Sequence, residues 1–218
     1  MSNGFSRTVG AGRAVETHLF LKDLSDDMYT HFLGGGTVAW DIETSGLDWS
    51  KERIATCQLY RPRGIAALVR IHDGVPPNLA RLLGTPKVKK VFHHATFDLR
   101  FLAFHWGCEI KNVACTKIAS KILTIDPQSS HKLQDLLSLH LGVDIPKGFA
   151  KSNWFSSELS TDQLSYAFDD VLFLPRLLAT LKRDLKAANK WKLALASFHY
   201  LPTRVQLDIQ RSGDVFTY

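Results

Sequence analysis

Hydrophobic positions come in short alternating blocks through the first half of the chain and at helical spacing through the second. Val38, Trp40 and Ile42 alternate with Asp41 and Glu43 ahead of the turn pair Ser45-Gly46, which predicts a strand over about 37–43. Ile54–Tyr60 and Ile65–Ile71 are two more strand blocks, and the Arg-Pro-Arg-Gly between them is hairpin chemistry. Lys87–Phe92 is a fourth. Upstream, Leu19, Leu21, Leu24, Met28 and Phe32 predict a short edge strand and then a helix capped near Ser25. Gly34-Gly35-Gly36 lacks the Gly-Lys-Ser/Thr ending of a phosphate-cradling loop and reads as a turn. Pro76-Pro77 introduces a helix at about 78–84, and Ala95–Phe104 is helical with apolar Phe97, Leu99, Phe101 and Leu102. Helices follow at about 114–123, 131–141, 161–184 and 187–199, with Ile145–Ser160 a loop. Strands first and helices afterwards predict an α/β fold, a mixed central sheet flanked by helices.

A chain of 218 residues has room for one domain with a substantial core. Residues 1–16, rich in Gly, Ser and Arg, read as a flexible extension; 17–185 form the domain; 186–218 form a helical tail. The tail carries Trp191, Leu193, Leu195, Phe198, Tyr200 and Leu201, too apolar to stay free, so it packs on its own domain or on a neighbouring subunit. No apolar run is long enough to cross a bilayer, and residues 1–16 lack the apolar centre of a secretory signal. Cys57, Cys108 and Cys115 are odd in number and widely spaced, which argues against a disulfide framework or a zinc site and fits a reducing cytoplasm. A net charge of +6, with Lys51, Arg53, Arg61, Arg63 and Arg70 gathered after the opening strand, favours an anionic partner.

Candidate chemistry begins in the strand at 37–43. Side chains two apart on a strand share a face, so Asp41 and Glu43 project together, and two buried anions need a cation between them. Phe92-His93-His94-Ala95-Thr96-Phe97-Asp98 leaves a strand and enters a helix, placing Asp98 in its first turns. Tyr166 and Asp170 stand four apart on a later helix and face the same way. Apolar neighbours (Leu99, Phe101 and Leu102; Val171, Leu172 and Leu174) predict that both aspartates are partly buried.

Asp41-Ile42-Glu43, His94-x-x-x-Asp98 and Tyr166-x-x-x-Asp170 resemble, in order and spacing, the three exonuclease motifs of the DEDD superfamily, in its tyrosine-containing, ribonuclease D-like subgroup. A histidine five residues before the last aspartate marks the other subgroup; Ser165 stands there. Within the subgroup the likeness is to the nanoRNase C group, small bacterial enzymes that degrade very short RNA. It extends through Cys115-Thr116-Lys117-Ile118-Ala119-Ser120, Leu141–Ile145, Trp154 and Tyr200–Arg204, and spans roughly residues 17–218. Two departures are Asn153, where many relatives carry an acid, and the pair His93-His94.

The resemblance implies a ribonuclease H-like sheet and a metal-dependent 3'-5' exoribonuclease. Its substrates would be short oligoribonucleotides, down to diribonucleotides, cut to nucleoside 5'-monophosphates by two-metal-ion hydrolysis. A longer-substrate exonuclease on structured RNA or DNA, and a catalytically silent nucleic-acid-binding module, are the alternatives. Asp41, Glu43, Asp98 and Asp170 would hold two ions, Mg²⁺ or Mn²⁺ because the donors are all hard oxygens. Tyr166 would orient the attacking water. Thr44, Leu47, His94 and Trp154 are the implied substrate contacts, Trp154 either stacking on a base or packing in its loop, with Lys151 and Ser152 as candidates for phosphate. Short RNA is the implied partner, DNA the second candidate, and a homo-oligomeric, octameric ring the implied assembly.

Overall fold

Val38, Ala39 and Trp40 are wholly buried, and the strand that carries them, β3 (Thr37–Thr44), lies deep within one mixed sheet. The computed structural model describes residues 4–9, 13–146, 148, 149 and 152–217. The other strands are β1 (Gly4–Val9), β2 (Arg13–Leu21), β4 (Ile54–Tyr60), β5 (Ile65–Arg70), β6 (Lys89–Phe92) and β7 (Val113–Cys115), and the order is β1-β2-β5-β4-β3-β6-β7. β3 runs antiparallel to β4 and parallel to β6, so the last residues of β3 and β6 open on the same edge of the sheet.

The helices are α1 (Asp26–Leu33), α2 (Pro77–Gly84), α3 (Ala95–Trp106), α4 (Thr116–Leu123), α5 (Leu133–Leu141), α6 (Thr161–Leu172), α7 (Leu174–Ala187) and α8 (Trp191–Ile209). On one face of β3, Trp40 meets Phe92 at 6.1 Å and Trp106 of α3 at 6.4 Å between ring centroids. On the sheet, α6 packs over β3, β4 and β5, and α7 over β3 and β6. α6 starts where its sequence says it should: Ser160 accepts from the Gln163 N–H while Gln163 accepts from the Ser160 N–H. α8 packs against α3, α4 and β7, where Asp208 pairs with Arg204 at 2.8 Å and Arg100 at 3.9 Å.

Four differences from the sequence reading have physical causes. Gly4–Val9 and residues 13–16, expected in a flexible extension, pair as strands; β2 also runs parallel to β5 and buries Val15 and Thr17 against it. Thr17 is a buried polar residue, so the apolar alternation of β2 is broken in the sequence. β7, expected as the start of a helix, spans three residues, too few to show a period. The helix predicted over 161–184 is two helices, because Pro175 sits in the first turn of α7, where a missing N–H costs nothing, and would break a continuous one. α8, expected to end near 199, instead carries Pro202 inside it and continues to Ile209, its Leu201 and Val205 buried.

Candidate active site

β3 delivers its two acids at an irregularity. Glu43 pairs with Thr56 and Thr44 with Ile54, so the ladder skips Ala55 between them. Such a bulge twists a strand and re-aims its side chains, and it falls at the acid that ends the buried run. Beyond it the Thr44 hydroxyl donates to the Gly46 carbonyl at 2.6 Å, closing the turn that presents Leu47, 83% exposed.

Asp41, Glu43 and Asp170 each place a carboxylate oxygen within 4.8 Å of the others. Asp98, only 2% exposed, arrives from the first turn of α3 and accepts a hydrogen bond from the Ile42 N–H, which ties that helix to β3 between the two strand acids. Gathering them is costly. Burial, then the charges of Asp98, Asp170 and Glu43, push the Asp41 carboxyl well above the usual range. Burial, with Asp170 and Asp98, takes Glu43 to about 9. Desolvation raises Asp98 and Asp170 to about 7 each. Among the described residues, no cation contributes to these shifts. A site of four crowded carboxylates fits a divalent ion that prefers hard oxygen donors.

Tyr166 and Asp170, one turn apart on α6, are hydrogen-bonded to each other. Burial and the charges of Asp170, Glu43 and Asp41 raise the phenol far above its ordinary pKa, so the hydroxyl keeps its proton. Its ring lies 6.2 Å from Trp154 and 6.0 Å from Phe149, both from the loop before α6. Trp154 is 2% exposed. Of the two expected roles, packing in its loop fits this burial, and Trp154 braces the tyrosine ring. Ser152 is likewise engaged inward, its hydroxyl donating to the Phe149 carbonyl at 2.7 Å and accepting from Gln163 at 3.2 Å. Lys151 lies outside the described residues.

His94 is the exposed N-cap residue of α3, one turn before Asp98, with its ring stacked on Phe97 at 6.2 Å. Its neighbour does a different job. His93 accepts from the Thr116 hydroxyl at Nδ1 (2.9 Å) and faces the His131 carbonyl with Nε2 (3.1 Å), so the proton resides on Nε2. Burial, with Lys117 nearby, lowers its pKa to about 3, and the neutral ring locks the β6–α3 junction to α4. Phe149 and Gln163 are supports that the sequence alone does not single out. Only Gln163 carried a local signal, the Ser160-x-x-Gln163 capping pattern.

Acids from two neighbouring elements converging on the end of a central strand, with a protonated tyrosine beside them, define a nuclease site of the all-carboxylate kind. The family model described as 3'-5' exonuclease matches residues 13–186, and the chain belongs to that family, in its ribonuclease D-like branch. Brucella melitensis NrnC superposes with a TM-score of 0.85 at 36% identity, covering 93% of this chain and 98% of that one. NrnC has also been solved bound to pGG and with bound Mg²⁺. Ribonuclease D of Haemophilus influenzae is 29% identical over 177 residues, 77% of this chain and 43% of that protein. Mouse exosome complex component 10 is 29% identical over 61% of this chain, which spans 14% of that protein. The chain thus matches less than half the length of these two curated relatives. It carries a 3'-5' exonuclease domain of the ribonuclease D and NrnC type.

Proposed function

We propose that this exonuclease degrades short oligoribonucleotides, down to diribonucleotides, from the 3' end, releasing nucleoside 5'-monophosphates. The convergence of Asp41, Glu43 and Asp170 within 4.8 Å, with Asp98 and Tyr166 beside them, carries the catalytic part of the reading. Similarity to NrnC over nearly its whole length, a protein solved with the short oligonucleotide pGG, supports the substrate part.

Asp41, Glu43 and Asp170 would hold one divalent ion, and Asp41 with Asp98 a second. Ions held there would supply charge stabilisation for the attacking and leaving oxygens of phosphodiester hydrolysis. Tyr166, kept protonated by its anionic surroundings, positions the attacking water through its hydroxyl and takes no part as a base. Phe149 and Trp154 hold its ring in place. Leu47, exposed in the turn that follows β3, would wedge against the terminal bases, while Thr44 and His94 would contact the terminal sugar and phosphate. A ring of subunits completes the proposal, with apolar side chains such as Leu139 (76% exposed) and Leu193 (58%) available to partner copies.

The test is turnover of 5'-labelled RNA and DNA from two to about twenty nucleotides in Mg²⁺ and in Mn²⁺, with products mapped. Rates concentrated on the shortest RNA are expected. Equal rates at every length would discard the short-RNA reading and leave the general exonuclease. Metal-free binding without hydrolysis in either ion would favour a silent binding module.

A further inference from the structure

We propose that a cavity between the start of β4, the end of β5 and the end of α3 is a second nucleotide site, separate from the carboxylates, which binds a nucleoside 5'-monophosphate. The cavity holds about 270 Å³, near the small end of ligand pockets. Its floor is apolar and nearly closed: Ile54, Ile71 and Trp106 are all under a tenth exposed. Its rim is charged and aromatic. The Arg53 guanidinium lies 4.9 Å over the Phe155 ring and 3.8 Å from Asp73, with His72 alongside.

Three observations select the ligand class. An apolar floor under an aromatic rim suits a planar ring, since base stacking on aromatic side chains tolerates any base. His105 lines the wall, and its buried Nε2 has no hydrogen-bond partner among the described residues. A small shift of the side chains that cover this nitrogen would offer it to a ligand, and the exocyclic and ring nitrogens of a base would pair with it as donor or acceptor. Arg53, 68% exposed and only loosely paired with a fully exposed Asp73, is free to turn towards a phosphate. Planar ring and anion together describe a mononucleotide, and the volume leaves no room for a long oligomer.

The cavity also connects to the active site through the backbone. Ile54 pairs with Thr44, next to Glu43, and the Arg53 carbonyl accepts from the Ser45 N–H at 3.0 Å. Phe155 follows Trp154, the residue packed on Tyr166. Occupancy would therefore be felt at the turn that carries Leu47, and by linkage the coupling runs both ways. The choice of a monophosphate rests on the proposed reaction, whose product it is; the existence of the site does not.

The test is equilibrium dialysis of labelled AMP and GMP against the full-length protein in EDTA, where the uncompensated carboxylates repel phosphate. One saturable site is expected. Phe155→Ala and Arg53→Gln should each weaken binding about tenfold, and His105→Phe, which keeps the packing and loses the nitrogen, about fivefold. Tyr166→Phe should leave it unchanged. No saturable binding up to millimolar nucleotide, binding indifferent to all three cavity variants, or binding lost with Tyr166→Phe would each overturn the proposal. None of these outcomes depends on hydrolysis, so a failed length series leaves the measurement intact.

Discussion

Replacing Asp98 with Asn should make the metal-free protein more stable while abolishing its activity. The ionised form of Asp98 is disfavoured chiefly by desolvation, which lifts its pKa from an ordinary 3.8 to about 7. At about 1.4 kcal/mol for each tenfold change in proton affinity, that amounts to about 4 kcal/mol. A carboxyl that holds its proton more tightly folded than unfolded costs stability as pH rises. Between pH 4 and 7 the unfolded chain is already ionised while the folded site is not, and above 7 the loss is complete. Asn keeps the side-chain oxygen that accepts from the Ile42 N–H and removes the charge. With some of the penalty relieved by relaxation, Asp98→Asn should stabilise the chelated protein at pH 8 by about 2 to 4 kcal/mol, or roughly 4 to 16 °C in Tm for a chain of this size. At pH 4 the gain should vanish. Added Mg²⁺ should raise the Tm of the parent more than that of the variant, and the variant's exonuclease rate should fall by orders of magnitude. Thermal melts in EDTA and in Mg²⁺ at both pH values make the measurement. A variant less stable than its parent in EDTA at pH 8, or a difference that does not change with pH, would refute the argument that this carboxylate is buried at the protein's expense.

Tyr166→Phe should lower kcat about a hundredfold or more while leaving the metal-induced rise in Tm intact, since in the proposed mechanism the phenol positions water and the carboxylates hold the ions. Because the phenol pKa is driven upward, kcat of the parent should show no alkaline loss from tyrosine ionisation through pH 10. Trp154→Ala should cost about 3 to 5 kcal/mol and reduce kcat, with Trp154→Phe restoring most of both; a pure rise in KM with normal kcat would return this residue to base stacking. Leu47→Ala, at a side chain 83% exposed, should change stability by no more than about 0.5 kcal/mol and raise KM for short RNA.

The strands and helices that place the carboxylates were legible because their periods are long and clean. β4 and β5 stand at the expected residues to within one position, and β3 and α3 to within one or two. What escaped was local or tertiary. β7 is too short to have a pattern, and Thr17 and Lys90 are buried polar residues that a hydrophobic count scores as exposed. Lys90 is tolerated only because its Nζ bonds the Thr85 and Val88 carbonyls, a partnership set by where α2 ends. Pro175 and Pro202 are alike as local helix breakers, yet one separates two helices and the other sits within one. The difference lies in packing: Leu201 and Val205, on either side of Pro202 along α8, are buried and hold the helix through the missing hydrogen bond.

The same division runs through the site. Carboxylates carry their chemistry in their identity, and i, i+2 or i, i+4 spacing says which way they point, so Asp41, Glu43, Asp98, Tyr166 and Asp170 could be named before any coordinates. The residues that make them work have no such signature. Trp154 reads equally well as a base-stacking platform or a core aromatic, and only its 2% exposure and its 6.2 Å approach to Tyr166 separate the two. His93 and His94 are adjacent and chemically alike; one is neutral, doubly bonded and structural, the other exposed at a helix start, because a strand end turns successive side chains to opposite sides. The bulge at Glu43 and Thr44 is invisible in the sequence, since it depends on Ala55 of the neighbouring strand being passed over. Four anions concentrated at a strand end destabilise the protein that builds them. The bulge, the capping box and the neutral His93 fix the backbone that carries them, and a bound cation would offset the cost of burying them together.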